Sequence, residues 1–230
     1  MKHDLSKIAG NFRFSGEFKE AYPYGSGHIN DTYAAVFTMK DGGSRRYILQ
    51  KINRNVFKDP VKLMENIEGI TKHLRKKIIA AGGEPDRETL NIIPSVSGES
   101  FYKSEEDNYW RSYIFIEGAK TYDIVSNIEH FRSGGYAIGR FQELLSDYPA
   151  KTLYETIPDF HNTVKRYDNF IKAVEQDSCN RAAGIKDEID FAVKRAEETK
   201  IVVDMLASGK LPLRVTHNDT KFNNIMIDDK

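Results

Sequence analysis

The spacing of apolar residues changes once along this chain, near Glu117-Gly118, and that change limits the fold more than any other feature. Before it, apolar side chains recur at every second position, as in half-buried strands. Phe12, Phe14 and Phe18 alternate with polar neighbours, and residues 32–39 and 46–52 are rich in strand formers. Asp41-Gly42-Gly43-Ser44 between the last two reads as a tight hairpin, because glycine supplies the positive φ such a turn needs. One helix interrupts the strands. Asp59 can cap it, Pro60 suits its first turn, Leu63, Ile67, Ile70 and Leu74 recur at helical spacing, and Gly82-Gly83 can end it. Further strands are predicted over 90–93 and 109–116. From residue 121 onward the period is helical, over 133–145, 161–176 and 186–207, before a short apolar strand at 225–227. The pattern predicts an α+β chain with a sheet lobe over 1–117, a mostly helical lobe over 118–230, and a cleft between them.

Several function classes are excluded early. Lys plus Arg equals Asp plus Glu, 34 each, so nothing in the overall charge supports nucleic acid or an anionic membrane as a partner. Cys179 is the only cysteine, which rules out an intramolecular disulfide. The first residues lack an apolar run, and the apolar stretches are strand-sized, so the expectation is a soluble cytoplasmic protein. There is no Cys/His cluster at zinc spacing, no G-x-S-x-G and no P-loop. Asp159 and His161 head a predicted helix, and His161 is read as capping or packing there instead of binding a metal.

Chemistry concentrates in the stretch His217-Asn218-Asp219-Thr220-Lys221-Phe222-Asn223-Asn224. An Asp, an Asn five residues later and a His two before the Asp is the spacing of a phosphoryl-transfer loop. Asp219 would orient an acceptor hydroxyl and take its proton, and Asn224 would offer a neutral oxygen to Mg²⁺. Lys221 can reach the transferring phosphoryl oxygens, while His217 would brace the loop by hydrogen bonding. As a bare pattern this is also a polar turn; its place after helices and behind a strand-rich lobe favours the chemical reading. Gly25-Ser26-Gly27 joins the first two strands, where backbone N–H groups can close over phosphates, and Ser26, Asn30 and Thr32 add donors. The third strand should present a cation to those phosphates. Strand alternation lets only one of Gln50 and Lys51 face the cleft, and pattern alone leaves both open. Glu65 or Glu68 on the helix would pair with the cation. Phe115 and Glu117 lie at the junction, where extended backbone and an aromatic ring can hold an adenine.

These stretches resemble the aminoglycoside phosphotransferase and choline kinase superfamily, and more closely the bacterial N-acetylhexosamine 1-kinases. The resemblance is carried by residues 23–33, by Tyr47-Ile48-Leu49-Gln50-Lys51-Ile52-Asn53 with Asn55-Val56-Phe57-Lys58-Asp59-Pro60, by residues 63–67, and by residues 215–226. It implies a protein-kinase-like two-lobed fold and transfer from ATP, with Mg²⁺, to the anomeric hydroxyl of an N-acetylhexosamine. It implies Asp219 as base, Asn224 as metal ligand and Gln50 at the inward place. Choline, homoserine or an aminoglycoside is the alternative acceptor, and a non-catalytic nucleotide-binding fragment is the alternative role. Family members continue into a strand with Asp-x-Asp metal ligands and further helices. The chain is therefore expected to be C-terminally truncated, with Asp228 and Asp229 as turn residues and exposed apolar surface favouring self-association.

Overall fold

The computed structural model describes residues 3–25, 27, 29–125 and 127–228. The chain divides into two compact units, Met1–Thr156 with Val215–Lys230, and Ile157–Arg214. The architecture is α+β, as expected.

In the first unit, α1 (Leu5–Ala9) is capped by Asp4, whose side chain accepts from the Lys7 amide. The strands are β1 (Glu17–Pro23), β2 (Asp31–Thr38), β3 (Ser44–Lys51), β4 (Tyr102–Lys103) and β5 (Tyr109–Ile114). Among the described residues they form one antiparallel sheet in the order β1-β2-β3-β5-β4. Leu5, Ile8 and Phe12 bury against Ala35, Phe37, Tyr47, Leu49 and Trp110 on one face of it. A sequence reading without α1 had no partner for that face. The strand predicted over 90–93 is reduced to a single bridge between Ile92 and Tyr113. Asn91 turns its amide to the carbonyls of Pro85 and Thr89, at 2.8 and 3.0 Å, and Pro94 cannot donate to a ladder.

The long helix α2 (Pro60–Ala80) starts where Asp59 accepts from the Lys62 amide and ends before Gly82, at φ +73°. It is followed by the one-turn α3 (Pro85–Glu88). Its most buried apolar residues are Met64, Leu74 and Ile78. Leu74 and Ile78 pack with Leu145 and Val215, so α2 shares a core with the end of α4 (Ile128–Leu144) and the entry to residues 217–224. Helix α4 starts earlier than the predicted residue 133 because Asn127 caps it, its side chain accepting from the Glu129 amide. Its buried position is Gly134, whereas Ala137 is exposed. A small sheet of β6 (Ala119–Lys120) and β7 (Ile227–Asp228) completes the unit.

The second unit carries α5 (Thr163–Gln176), α6 (Lys186–Val193) and α7 (Ile201–Ala207). The helical period predicted over 161–176 is seen in α5, where Val164, Tyr167, Phe170, Ile171 and Val174 form a half-buried stripe. The helix predicted over 186–207 is broken by a 3₁₀ turn, Ala196–Lys200. The Thr163 hydroxyl donates to the Thr199 carbonyl at 2.5 Å, and the Thr199 hydroxyl donates to the Ala196 carbonyl at 2.6 Å. Both bonds divert groups from an α-helical ladder.

Candidate active site

Residues 217–224 leave the buried Val215 and turn at Asn218, which has φ +64°, a conformation asparagine tolerates. The Thr216 hydroxyl donates to Asn218 Oδ1 at 2.6 Å. A 3₁₀ turn, Phe222–Asn224, then returns the chain so that Asn224 Nδ2 donates to Asp219 Oδ2 at 2.7 Å and to the Asp219 carbonyl at 2.9 Å. Lys221 Nζ lies 3.8 Å from the same Oδ2. Asp219, Lys221 and Asn224 thus meet at one exposed carboxylate. The turn is held from below by Phe222 and Ile225 against Gly134 of α4, and from the side by Asn223 Nδ2, which donates to Asp123 Oδ1 at 2.8 Å. His217 packs edge-on against Phe141, with centroids 5.9 Å apart, and among the described residues it makes no hydrogen bond. It braces the loop by ring packing instead of the hydrogen bonding expected of it.

The hairpin between β1 and β2 is closed by the Tyr24 amide, which donates to the Thr32 carbonyl at 2.9 Å. Gly25 has φ +82°, and a Cβ at Gly25 or Gly27 would meet nothing within 4 Å, so both leave open space beside the backbone. Ser26 lies outside the described residues. Asn30 and Thr32 are turned to the protein. Asn30 Oδ1 accepts from the Asn53 amide at 2.9 Å, and Thr32 Oγ1 accepts from Gln50 Nε2 at 2.7 Å.

Register puts Gln50 and Lys51 on opposite faces of the sheet. Thr32, Gln50 and Arg111 are cross-strand partners in one row, and Asp31, Lys51 and Trp110 form the next row on the opposite face. Lys51 Nζ sits 3.9 Å from Asp31 and 3.5 Å from His3 Nε2, on the face that α1 covers. Gln50 is on the other face, where its Oε1 accepts from Arg111 Nε at 2.9 Å and Nη2 at 2.7 Å. Burial pushes the Arg111 guanidinium below its ordinary pKa and the Tyr113 hydroxyl above its own. Neither helix carboxylate pairs with Lys51: Glu68 holds Lys72, one turn along α2.

The segment after β5 is tied down at several points. Phe115 lies 5.1 Å from Tyr24 between ring centroids, and the Arg46 guanidinium covers its ring at 3.8 Å. Arg46 Nε donates to Glu117 Oε1 at 2.8 Å, and a second contact joins Arg46 Nη2 to Oε2. These bonds hold the Glu117 carboxyl below its ordinary range. Arg87 of α3 donates to the Glu117 carbonyl at 2.9 Å and to Asp228 Oδ2 at 2.5 Å. Because β7 pairs with β6, Asp228 is a strand residue rather than a turn residue, and Asp229 lies outside the described residues. A chain of contacts therefore runs from the hairpin through Tyr24, Phe115, Arg46, Glu117 and Arg87 to the strand that follows Asn224. Arg46, Arg87 and Arg111 were missed by the sequence reading. The available signal was an arginine at mid-strand among aromatic residues, as in Tyr109-Trp110-Arg111-Ser112-Tyr113.

The described residues hold no group of three or more His, Cys, Asp or Glu side chains arranged for a metal. No helix among them is long and apolar enough to cross a membrane. No protein-family model matches the sequence. Among solved structures, the chain is similar to an aminoglycoside phosphotransferase from Alicyclobacillus acidocaldarius, with a TM-score of 0.50 and 11% identity, over 83% of this chain and 52% of that one. It is also similar to amicoumacin kinase in complex with AMP-PNP, Ca²⁺ and Ami (TM-score 0.44, 15% identity, 75% and 53% covered). A third is spectinomycin phosphotransferase in complex with ADP and spectinomycin (TM-score 0.47, 14% identity, 98% and 65% covered). At such identities the likeness is one of fold: the chain has the fold of the aminoglycoside phosphotransferases. It spans about half the length of the first two of these relatives.

Proposed function

We propose that this chain is the part of an ATP-dependent small-molecule kinase that holds the nucleotide and the transfer loop, and that the acceptor is the anomeric hydroxyl of an N-acetylhexosamine. Residues 1–117 form the nucleotide lobe in this reading, residues 118–230 carry the loop, and the protein works in the cytoplasm. The observation that carries it is the meeting of Asp219, Lys221 and Asn224 around one exposed carboxylate. The fold likeness supports it, and the acceptor rests on the sequence resemblance.

Asp219 orients the acceptor hydroxyl and accepts its proton as the new O–P bond forms and the bond to ADP breaks. Lys221 faces the oxygens of the transferring group. Asn224 commits its Nδ2 to Asp219, which leaves its Oδ1 without a hydrogen-bond partner among the described residues. An amide oxygen beside a carboxylate fits Mg²⁺, which takes few protein oxygens and completes its shell with phosphate and water. Magnesium, when bound, neutralises phosphate charge. Gly25 and Gly27 leave backbone space for the phosphate chain, and the ring of Phe115 serves the base. Asn30 and Thr32 contribute by holding Asn53 and Gln50. Ile128, Phe131 and Tyr136 on α4 are 74%, 60% and 69% exposed, an apolar surface of the kind that favours self-association.

The test is ATP turnover by the complete protein that contains this chain against N-acetylglucosamine, N-acetylgalactosamine, choline, homoserine and an aminoglycoside, with the Asp219→Asn variant of that protein beside it. Turnover with the acetylated sugars is expected, lost by about 10³-fold in the variant while ATP affinity stays unchanged. Equal turnover in the variant, or affinity lost in step with rate, refutes the role of Asp219.

A further inference from the structure

A kinase fold presents a cation from its third strand to the nucleotide phosphates. Here that inward place is held by the neutral Gln50, and Lys51 is on the opposite face with Asp31. The cation nearest to the vacated place is Arg111, the cross-strand partner of Gln50 on β5. We infer that Arg111 receives the phosphate groups of the nucleotide, and that Gln50 holds its guanidinium in position for them. The inference rests on the nucleotide reading above.

Three observations favour a ligand role over a purely structural one. Gln50 is wholly committed to a bracket: its Oε1 accepts from two guanidinium nitrogens, and its Nε2 is fixed on Thr32. Such a bracket sets the plane of the guanidinium and leaves its remaining N–H donors for another acceptor. No carboxylate pairs with Arg111 among the described residues. Three acids are engaged with other cations: Glu68 with Lys72, Glu117 with Arg46, and Asp31 with Lys51. A half-buried cation without a counter-charge is costly, and a phosphate group that arrives there relieves the cost. Bracing β3 against β5 alone would be done as well by a neutral side chain with no charge to desolvate. Location agrees with this. Thr32, at the other end of the row, is the second residue of β2, the strand that leaves the glycine hairpin, so Arg111 lies across two strand pairings from the loop proposed to cover the phosphates. Arginine also matches phosphate in plane and donor spacing better than lysine does.

The experiment is calorimetric titration of the full chain with ATP, ADP and adenosine, each with Mg²⁺. Arg111→Gln is expected to weaken ATP and ADP by about 10- to 100-fold, the worth of a charged hydrogen bond, and to leave adenosine unchanged. Adding Gln50→Lys to Arg111→Gln returns a cation to the third strand and is expected to recover most of the ATP affinity. If Arg111→Gln fails to fold, Arg111→Lys takes its place, with a smaller loss confined to ATP and ADP. Unchanged ATP binding in the variants, or adenosine lost in parallel with ATP, overturns the inference while nucleotide binding stands. A natural chain that binds neither ATP nor adenosine overturns the nucleotide reading, and this inference with it.

Discussion

Gly134 and Gly135 are neighbours in α4, yet a side chain at each would enter a different environment. A Cβ on Gly134 would stand 3.2 Å from Phe222 Cε2 and 3.4 Å from Ile225 Cδ1, the two residues that flank Asn223-Asn224. A Cβ on Gly135 would meet nothing within 4 Å. Replacing a helix-interior glycine by alanine gains about 0.5–1 kcal/mol from the unfolded state and the helix backbone. Gly135→Ala is therefore expected to raise the unfolding midpoint by about 1–4 °C. Gly134→Ala collects the same gain, but Phe222 and Ile225 must give way by a few tenths of an ångström, so its net effect is expected near zero. Leucine separates the two sites further. At Gly135 its side chain stays in open space. At Gly134 it forces the clamp apart, costing about 1–3 kcal/mol, and lowers the midpoint by several degrees. Trp110, the only tryptophan, is fully buried in the same compact unit, so its fluorescence during thermal unfolding reports that unit. Amide exchange over residues 217–226 should rise in Gly134→Leu and stay unchanged in Gly135→Leu. If the two leucine variants unfold at the same temperature, the claim that α4 supports the loop through Gly134 is wrong.

Two further outcomes follow from the sheet and the junction. Ser112 is fully buried and its hydroxyl donates to the Ile48 carbonyl at 2.8 Å, so Ser112→Ala is expected to cost about 1 kcal/mol in urea unfolding with an unchanged m-value. A loss below a few tenths would mean the bond adds nothing to the β3–β5 pairing. The Glu117 carboxyl, held low by Arg46, contributes stability above the ordinary carboxylate value of 4.5, and that contribution disappears as pH falls through the lower folded value. Glu117 is more than half exposed, so Glu117→Gln should cost less than about 1 kcal/mol at neutral pH and nothing in strong acid. A difference that persists undiminished in acid would assign the effect to packing instead of charge.

The α+β pattern, the β2–β3 hairpin, the start and stop of α2 and the stripe of α5 were legible because each depends on local chemistry. Asp59 caps the helix beside it, Gly42 supplies the φ of its own turn, and period-two alternation reflects a sheet with distinct faces. The spacing from Asp219 to Asn224 was legible for the same reason, since a short turn brings the two together. The break at Ala196–Lys200 was not, because its cause is a hydroxyl from Thr163, distant in sequence. The loss of the strand at 90–93 was legible in part, through Pro94, though the bonds of Asn91 to the α3 region were not.

What the amino-acid order determined here is which segments are strand or helix and which residue types share the loop at 217–224. Tertiary structure decided which side of the sheet is which. Helix α1 and Phe12 cover the face that carries Tyr47, Leu49 and Lys51, and this turns Gln50 and Arg111 to the other face. Alternation shows that a strand has two faces, but a face becomes inner or outer only by what packs on it, and those partners come from far along the chain.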